Sequence, residues 1–189
     1  MSKPPRFPQL TMDELNPEQR VLAEEIVKFS RVGIGGPYNI LLRSPVLLRR
    51  MLDVWNYLRW KTSLPLNLNE FAILIAGRRW RSQVEWFAHV PIALKAGLSQ
   101  SIIDQLKQKK RPEGMKEDEA IVYDLCTELA DKRELSDDTF NRAKRILGEQ
   151  QVVDLVAVFG IYVMTAMLLA TAEAMPPEGS ELPFKPGEH

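Results

Sequence analysis

The chain has 189 residues, 25 Lys+Arg against 25 Asp+Glu for a formal net charge of zero, and 45% hydrophobic residues. This bounds it to one globular domain or two small ones, with no overall attraction to nucleic acid or an anionic membrane. One cysteine (Cys126) and two histidines (His89 and His189) exclude an internal disulfide, a Cys-x-x-Cys redox pair, a cysteine-rich zinc site and a three-histidine metal centre.

Residues 1–12 contain Pro4, Pro5 and Pro8 and have no apolar core for a secretory signal, so they read as an N-terminal arm and the protein as cytoplasmic. A helical domain is expected over 13–174. Asn16-Pro17-Glu18-Gln19 supplies an N-cap, a first-turn proline and a capping-box glutamine, predicting a helix to about Ser30. Glycines 33, 35 and 36 lack a Lys-Ser/Thr ending and a preceding strand, so they read as a helix-joining turn and not a phosphate loop. Ser44-Pro45 opens a helix that Thr62-Ser63-Leu64-Pro65 breaks. Asn67 and Glu70 have capping-box spacing, predicting a helix to about Arg79.

Ser82 and Glu85 have the same spacing and open a helix to Ala96, with Gly97 as its C-cap and Pro91 as an expected kink after His89. Further helices are expected over 99–108, 117–132, 136–148 and 149–174, with a polar connector at 109–116. Residues 152–172 are apolar enough to span a bilayer, but the flanks lack a basic cluster and Asp154, Gly160, Tyr162 and Thr165 soften the run. A buried bundle helix or an oligomer interface is the expectation. Residues 175–189, with turn-forming positions that include Pro176, Pro177, Gly179, Pro183 and Pro186, read as a disordered tail or an extended arm. No segment alternates with a two-residue period. The fold class is all-α.

Ser82, Glu85 and His89 fall at spacings of three and four, which places them on one helical face amid Val84, Trp86 and Phe87. A carboxylate four residues before an imidazole can orient it by accepting one ring N–H, and Glu70 supplies a second carboxylate. Such a set suits proton transfer in an apolar setting. The capping box would by itself account for Ser82 and Glu85. Arg81, in a small basic cluster with Arg78 and Arg79, is a candidate clamp for a substrate carboxylate. The ligands for a metal are too few, and none is expected.

Gly36-Pro37-Tyr38-Asn39, Leu42-Arg43-Ser44-Pro45, Leu64-Pro65, Glu70, Glu85-Trp86-x-x-His89 and Ala96-Gly97-Leu98-Ser99 follow one another in an order that resembles carboxymuconolactone decarboxylase-like proteins of the alkylhydroperoxidase D-like superfamily. The resemblance covers roughly residues 13–172. The peroxidase branch of that superfamily has a Glu, a Cys-x-x-Cys pair and a His four residues after the second Cys. This chain matches at Glu70 and His89 but has Ser82 and Glu85 at the cysteine positions, so a thiol peroxidase cycle is not expected. The decarboxylase-like branch lacks the pair. The resemblance implies an all-helical protomer that assembles into trimers or hexamers, and cofactor-free decarboxylation or related proton transfer on a small cyclic acid or lactone. It implies His89 as proton donor or acceptor, Glu85 orienting it, Glu70 as second carboxylate, and Ser82, Trp86 and Arg81 as substrate contacts. A non-catalytic homo-oligomer that binds a small ligand is the competing expectation.

Overall fold

The computed structural model describes residues 5–30 and 32–185; Pro4 of the expected arm and Pro186 and His189 of the expected tail lie outside the described residues. Those residues form eight α-helices, a short 3-10 turn and no strand: α1 Pro17–Ile26, α2 Pro37–Leu41, α3 Pro45–Trp60, α4 Leu66–Arg79, α5 Gln83–Lys95, α6 Gln100–Lys107, α7 Glu117–Lys132 and α8 Asp137–Thr171. The all-α expectation holds.

Local chemistry sets most of the boundaries. Asn16 caps α1 and exchanges hydrogen bonds with Gln19, while Ser99 and Ser136 cap α6 and α8 through their hydroxyls. Gly148 has φ +78° and interrupts α8, dividing it at the position that its sequence marks. Two expected caps are not formed. Ser44 makes no side-chain cap, so the start of α3 rests on Pro45, whose missing N–H costs nothing at a first turn. α4 begins at Leu66, behind Pro65, which puts Asn67 inside the helix and removes Glu70 from any capping role. α2, a helix that the sequence does not announce, starts at Pro37 directly after the glycine turn and closes just over one helical turn. α5 continues through Pro91 to Lys95.

α4 is the central helix. Every residue from Leu68 to Arg78 is buried, and α4 packs on α5, α7 and α8. Its Phe71, Ile73, Leu74 and Ile75 anchor the larger core with Trp86, Ile103, Ile121, Leu125 and Leu155. A second, smaller core joins α1, α2 and α3 through Leu22, Ile26, Leu48 and Trp55, and Ile161 of α8 touches both. Most of this burial comes from aliphatic side chains, each worth roughly 1.5–3 kcal/mol on removal from water.

The apolar half of α8 is long and apolar enough to cross a membrane by length and composition alone, yet half of that stretch is buried inside the chain. Its one carboxylate is accounted for internally. Asp154 accepts hydrogen bonds from the Tyr57 hydroxyl at 3.0 and 3.1 Å and from the Thr62 hydroxyl at 2.6 Å, which docks α8 on the end of α3.

Both terminal segments are strapped to the domain where they are described. Asn39 bonds both backbone groups of Leu10. Phe184 is fully buried against Trp86, and its backbone N–H and C=O both pair with the Gln83 side chain, at 3.0 and 2.7 Å. Of the two expectations for the C-terminal segment, residues 175–185 follow the extended arm.

Candidate functional site

A cavity of about 570 Å³ lies between the α1–α3 layer and parts of α5 and α8. Most of its wall is apolar or aromatic, from Phe29, Tyr38, Trp55 and Trp60 on one side to Val84, Ile92 and Leu169 on the other. Arg59, Glu85, His89, Tyr162 and Thr165 supply polar groups from α3, α5 and α8, and Glu25, Lys28, Ser30, Asp53 and Asn56 add others from the α1–α3 side. A large apolar cavity with a few convergent polar groups is the usual form of a small-molecule site.

α4 and α5 form a tight hairpin, and its turn determines what Glu85 does. Arg81 takes φ +52° there, and the Ser82 N–H donates to Gly77 O at 2.8 Å. Ser82 Oγ accepts the Glu85 N–H at 3.4 Å, so the forward half of the capping box exists. The return half does not, because the Ser82 N–H that Glu85 would accept is already used. The Glu85 carboxyl is therefore released from the helix end. It is buried, neither oxygen has a hydrogen-bond partner among the described residues, and it forms part of the cavity wall. Burial pushes its pKa up to about 8.

Glu70 has the opposite environment. One carboxylate oxygen pairs with Arg59 Nη1, and the other lies 2.7 Å from His89 Nδ1. Burial alone would raise its pKa, but the His89 hydrogen bond and the Arg59 charge together outweigh it and hold the group below the usual carboxylate range. His89 is pushed down by burial, an effect that Glu70 only partly offsets. A neutral imidazole that donates through Nδ1–H to an ionised carboxylate keeps Nε2 as the acceptor nitrogen. The Tyr162 ring meets His89 edge to face at 5.1 Å between centroids and fixes the imidazole plane from the α8 side. Burial raises the Tyr162 hydroxyl pKa, so it stays a neutral donor.

The expected trio of Glu70, Glu85 and His89 thus meets at one place, with the two glutamates exchanged in role. Glu70, not Glu85, holds the histidine; Glu85 stands apart from it as a neutral acid. The three expected substrate contacts lie outside the cavity wall. Ser82 is the α5 cap, Trp86 packs in the core on Phe184 at 5.2 Å, and Arg81 donates to the Lys185 carbonyl at 3.1 Å. Arg59, Tyr162 and Trp60 were missed. Tyr162 did leave a trace as a polar interruption of an apolar run, whereas Arg59 carried no local signal, because its partners lie on α4 and α8. Among the described residues no three His, Cys, Asp or Glu side chains are grouped to hold a metal ion. Cys126 is buried, and that burial pushes its thiol pKa up.

No family model and no curated protein matches the chain in sequence. Among solved structures it is similar to the alkylhydroperoxidase AhpD core, an uncharacterized peroxidase-related protein from Ralstonia eutropha, with a TM-score of 0.73 and 14% identity over 94% of this chain and 95% of that one. The chain therefore has the alkylhydroperoxidase D-like helical fold.

Proposed function

On that fold, we propose a cofactor-free acid–base enzyme, a lyase of the carboxymuconolactone decarboxylase-like kind acting on a small cyclic carboxylic acid or lactone. The observation that carries this reading is a pair of buried glutamates, Glu85 in the cavity wall and Glu70 behind its partners His89 and Arg59, whose surroundings drive them to opposite charge states: Glu70 ionised, Glu85 protonated. Two carboxyls separated in this way divide the acid and base roles between them.

In decarboxylation, the carbon–carboxylate bond breaks, carbon dioxide leaves and the bonding pair moves into the conjugated lactone. The protonated Glu85 then delivers its proton to carbon and is reprotonated from water. His89 Nε2, left as the acceptor by the Nδ1–H donated to Glu70, takes a proton from one substrate carbon and returns it to another where the reaction is an isomerisation. The apolar wall strips water from the departing carboxylate. A thiol peroxidase cycle does not fit, because Ser82 and Glu85 occupy the positions of a thiol pair and Cys126 is buried away from the cavity.

The same reading makes the protein a cytoplasmic homo-oligomer, a trimer or hexamer joined through the exposed apolar face of α8 at Val153, Val156 and Met167. The test is turnover of small cyclic acids and lactones by the wild type, Glu85→Gln and His89→Ala. Each variant should lose about 10²- to 10⁴-fold in kcat while remaining folded. Turnover that survives His89→Ala on a confirmed substrate sinks the acid–base assignment. Ligand binding without turnover leaves a binding protein.

A further inference from the structure

The acid–base set explains Glu70, Glu85 and His89 but leaves one edge of a buried cation unused. Arg59 has a side chain 9% exposed, and among the described residues its hydrogen bonds all run through Nη1, to Glu70 and, at 3.5 Å, to Asn69 Oδ1. Its guanidinium carbon lies 4.7 Å from the Trp60 ring centroid and 6.0 Å from that of Tyr162, so two aromatic faces hold the group in place. Arg59 is also part of the cavity wall, beside His89 and Glu85. Nε and Nη2 form the edge of a guanidinium that makes two parallel hydrogen bonds to a carboxylate. Leaving that edge against an apolar cavity costs free energy unless a ligand occupies it.

We propose that Arg59 is the substrate anchor, and that it binds a single carboxylate on a ligand whose ring or apolar body lies against Trp55, Trp60 and Tyr38. This deepens the acid–base reading and rests on it for the identity of the site. It also moves the carboxylate clamp from Arg81, which is held by the C-terminal arm, to the end of α3. The neighbours favour an anion: burial disfavours charge on Glu85 and His89, and Glu70, the carboxylate bonded to Arg59, is satisfied by Nη1 and His89. Of the other carboxylates in the wall, Glu25 pairs with Arg49, and Asp53 is exposed on α3. A ligand with one carboxylate fits a single free guanidinium edge. Lys28, the other cation in the cavity wall, is exposed on the turn after α1 and has no comparable aromatic support.

The test compares 2-naphthoate with its uncharged isostere 2-naphthamide by titration calorimetry, using the full-length chain. The wild type should bind the carboxylate about tenfold or more tightly over the amide, the discrimination expected of a charge-assisted bidentate pair. Arg59→Lys keeps a cation beside Glu70 but removes the fork; it should reduce the preference to about twofold with the amide affinity unchanged. Lys28→Gln should keep the wild-type preference. Equal wild-type affinities, no binding of either probe, a preference that persists in Arg59→Lys or one that vanishes in Lys28→Gln would each overturn the assignment. The wild-type comparison stands by itself if Arg59→Lys fails to fold. No turnover is measured, so the result is independent of whether His89 and Glu85 prove catalytic.

Discussion

His89 Nδ1 lies 2.7 Å from Glu70 Oε2, and the other oxygen of the same carboxylate is taken by Arg59. One buried side chain of the central helix thus ties α3 and α5 together behind two residues of the cavity wall. Its solvation has been replaced entirely by protein partners, so its ionised form depends on both remaining in place.

Glu70→Gln should therefore destabilise the fold. The substitution keeps the shape but leaves the Arg59 charge buried without its counter-ion, a loss of about 3–5 kcal/mol where a buried pair is broken on one side. Urea denaturation should show a lower midpoint with an unchanged slope. An unchanged midpoint would mean that the Arg59 guanidinium is solvated through the cavity and that the pair is not structural.

Glu85 predicts a pH dependence of the opposite kind to ordinary acid denaturation. Its carboxyl titrates near 4.5 when unperturbed and near 8 in the folded protein. Between those values the folded state holds a proton that the unfolded state has lost, so stability falls as pH rises through the window and stays low above it. The full shift corresponds to on the order of 5 kcal/mol. Glu85→Gln, which cannot ionise, should be less sensitive to pH than the wild type between pH 5 and 9 and more stable than it at pH 9. Parallel pH profiles for the two proteins would show that Glu85 ionises normally.

What was legible in the sequence was local. Asn16, Ser99 and Ser136 cap their helices because a cap is a bargain between residues three apart, and Gly148 breaks α8 because its backbone conformation suits glycine. The helix expected over 117–132 is α7 itself. The failures share one cause. Asn67–Glu70 and Ser82–Glu85 have capping-box spacing, but the Pro65 start and the Gly77–Ser82 hydrogen bond satisfy those helix ends first, which frees both glutamates for the interior. Which glutamate then reaches His89 depends on how α4 lies against α5. Arg59 joins them through a helix crossing that no spacing in the sequence encodes.

His89 should be neutral and protonated on Nδ1 across the physiological range. Burial lowers its pKa below the ordinary value of 6.5 more than Glu70 restores it. In the interval between the folded value and 6.5 the unfolded chain binds the extra proton, so this residue makes stability rise with pH and its contribution is lost on acidification. Nitrogen NMR of labelled protein at pH 6.5 should show an unprotonated Nε2 and a hydrogen-bonded Nδ1–H. A doubly protonated ring at that pH would reverse the base assignment.

The C-terminal arm holds the start of α5, and with it the position of Glu85. Phe184 is buried between Trp86, at 5.2 Å between ring centroids, and the Arg78 guanidinium, at 4.8 Å from its ring, while its backbone bonds the Gln83 side chain twice. Phe184→Ala removes that packing and should cost about 3–5 kcal/mol, the range for emptying a buried phenylalanine site. The loss should be uneven. Amide exchange should rise first at residues 82–86, whose outer support is the arm, and least in α7, which packs on α4 and α8. Loosening that turn lets water reach Glu85, so its pKa should fall toward the ordinary carboxylate value as its burial is lost. Uniform exchange across α5 and α7 at the same overall stability would show that the arm covers the surface without positioning the acid.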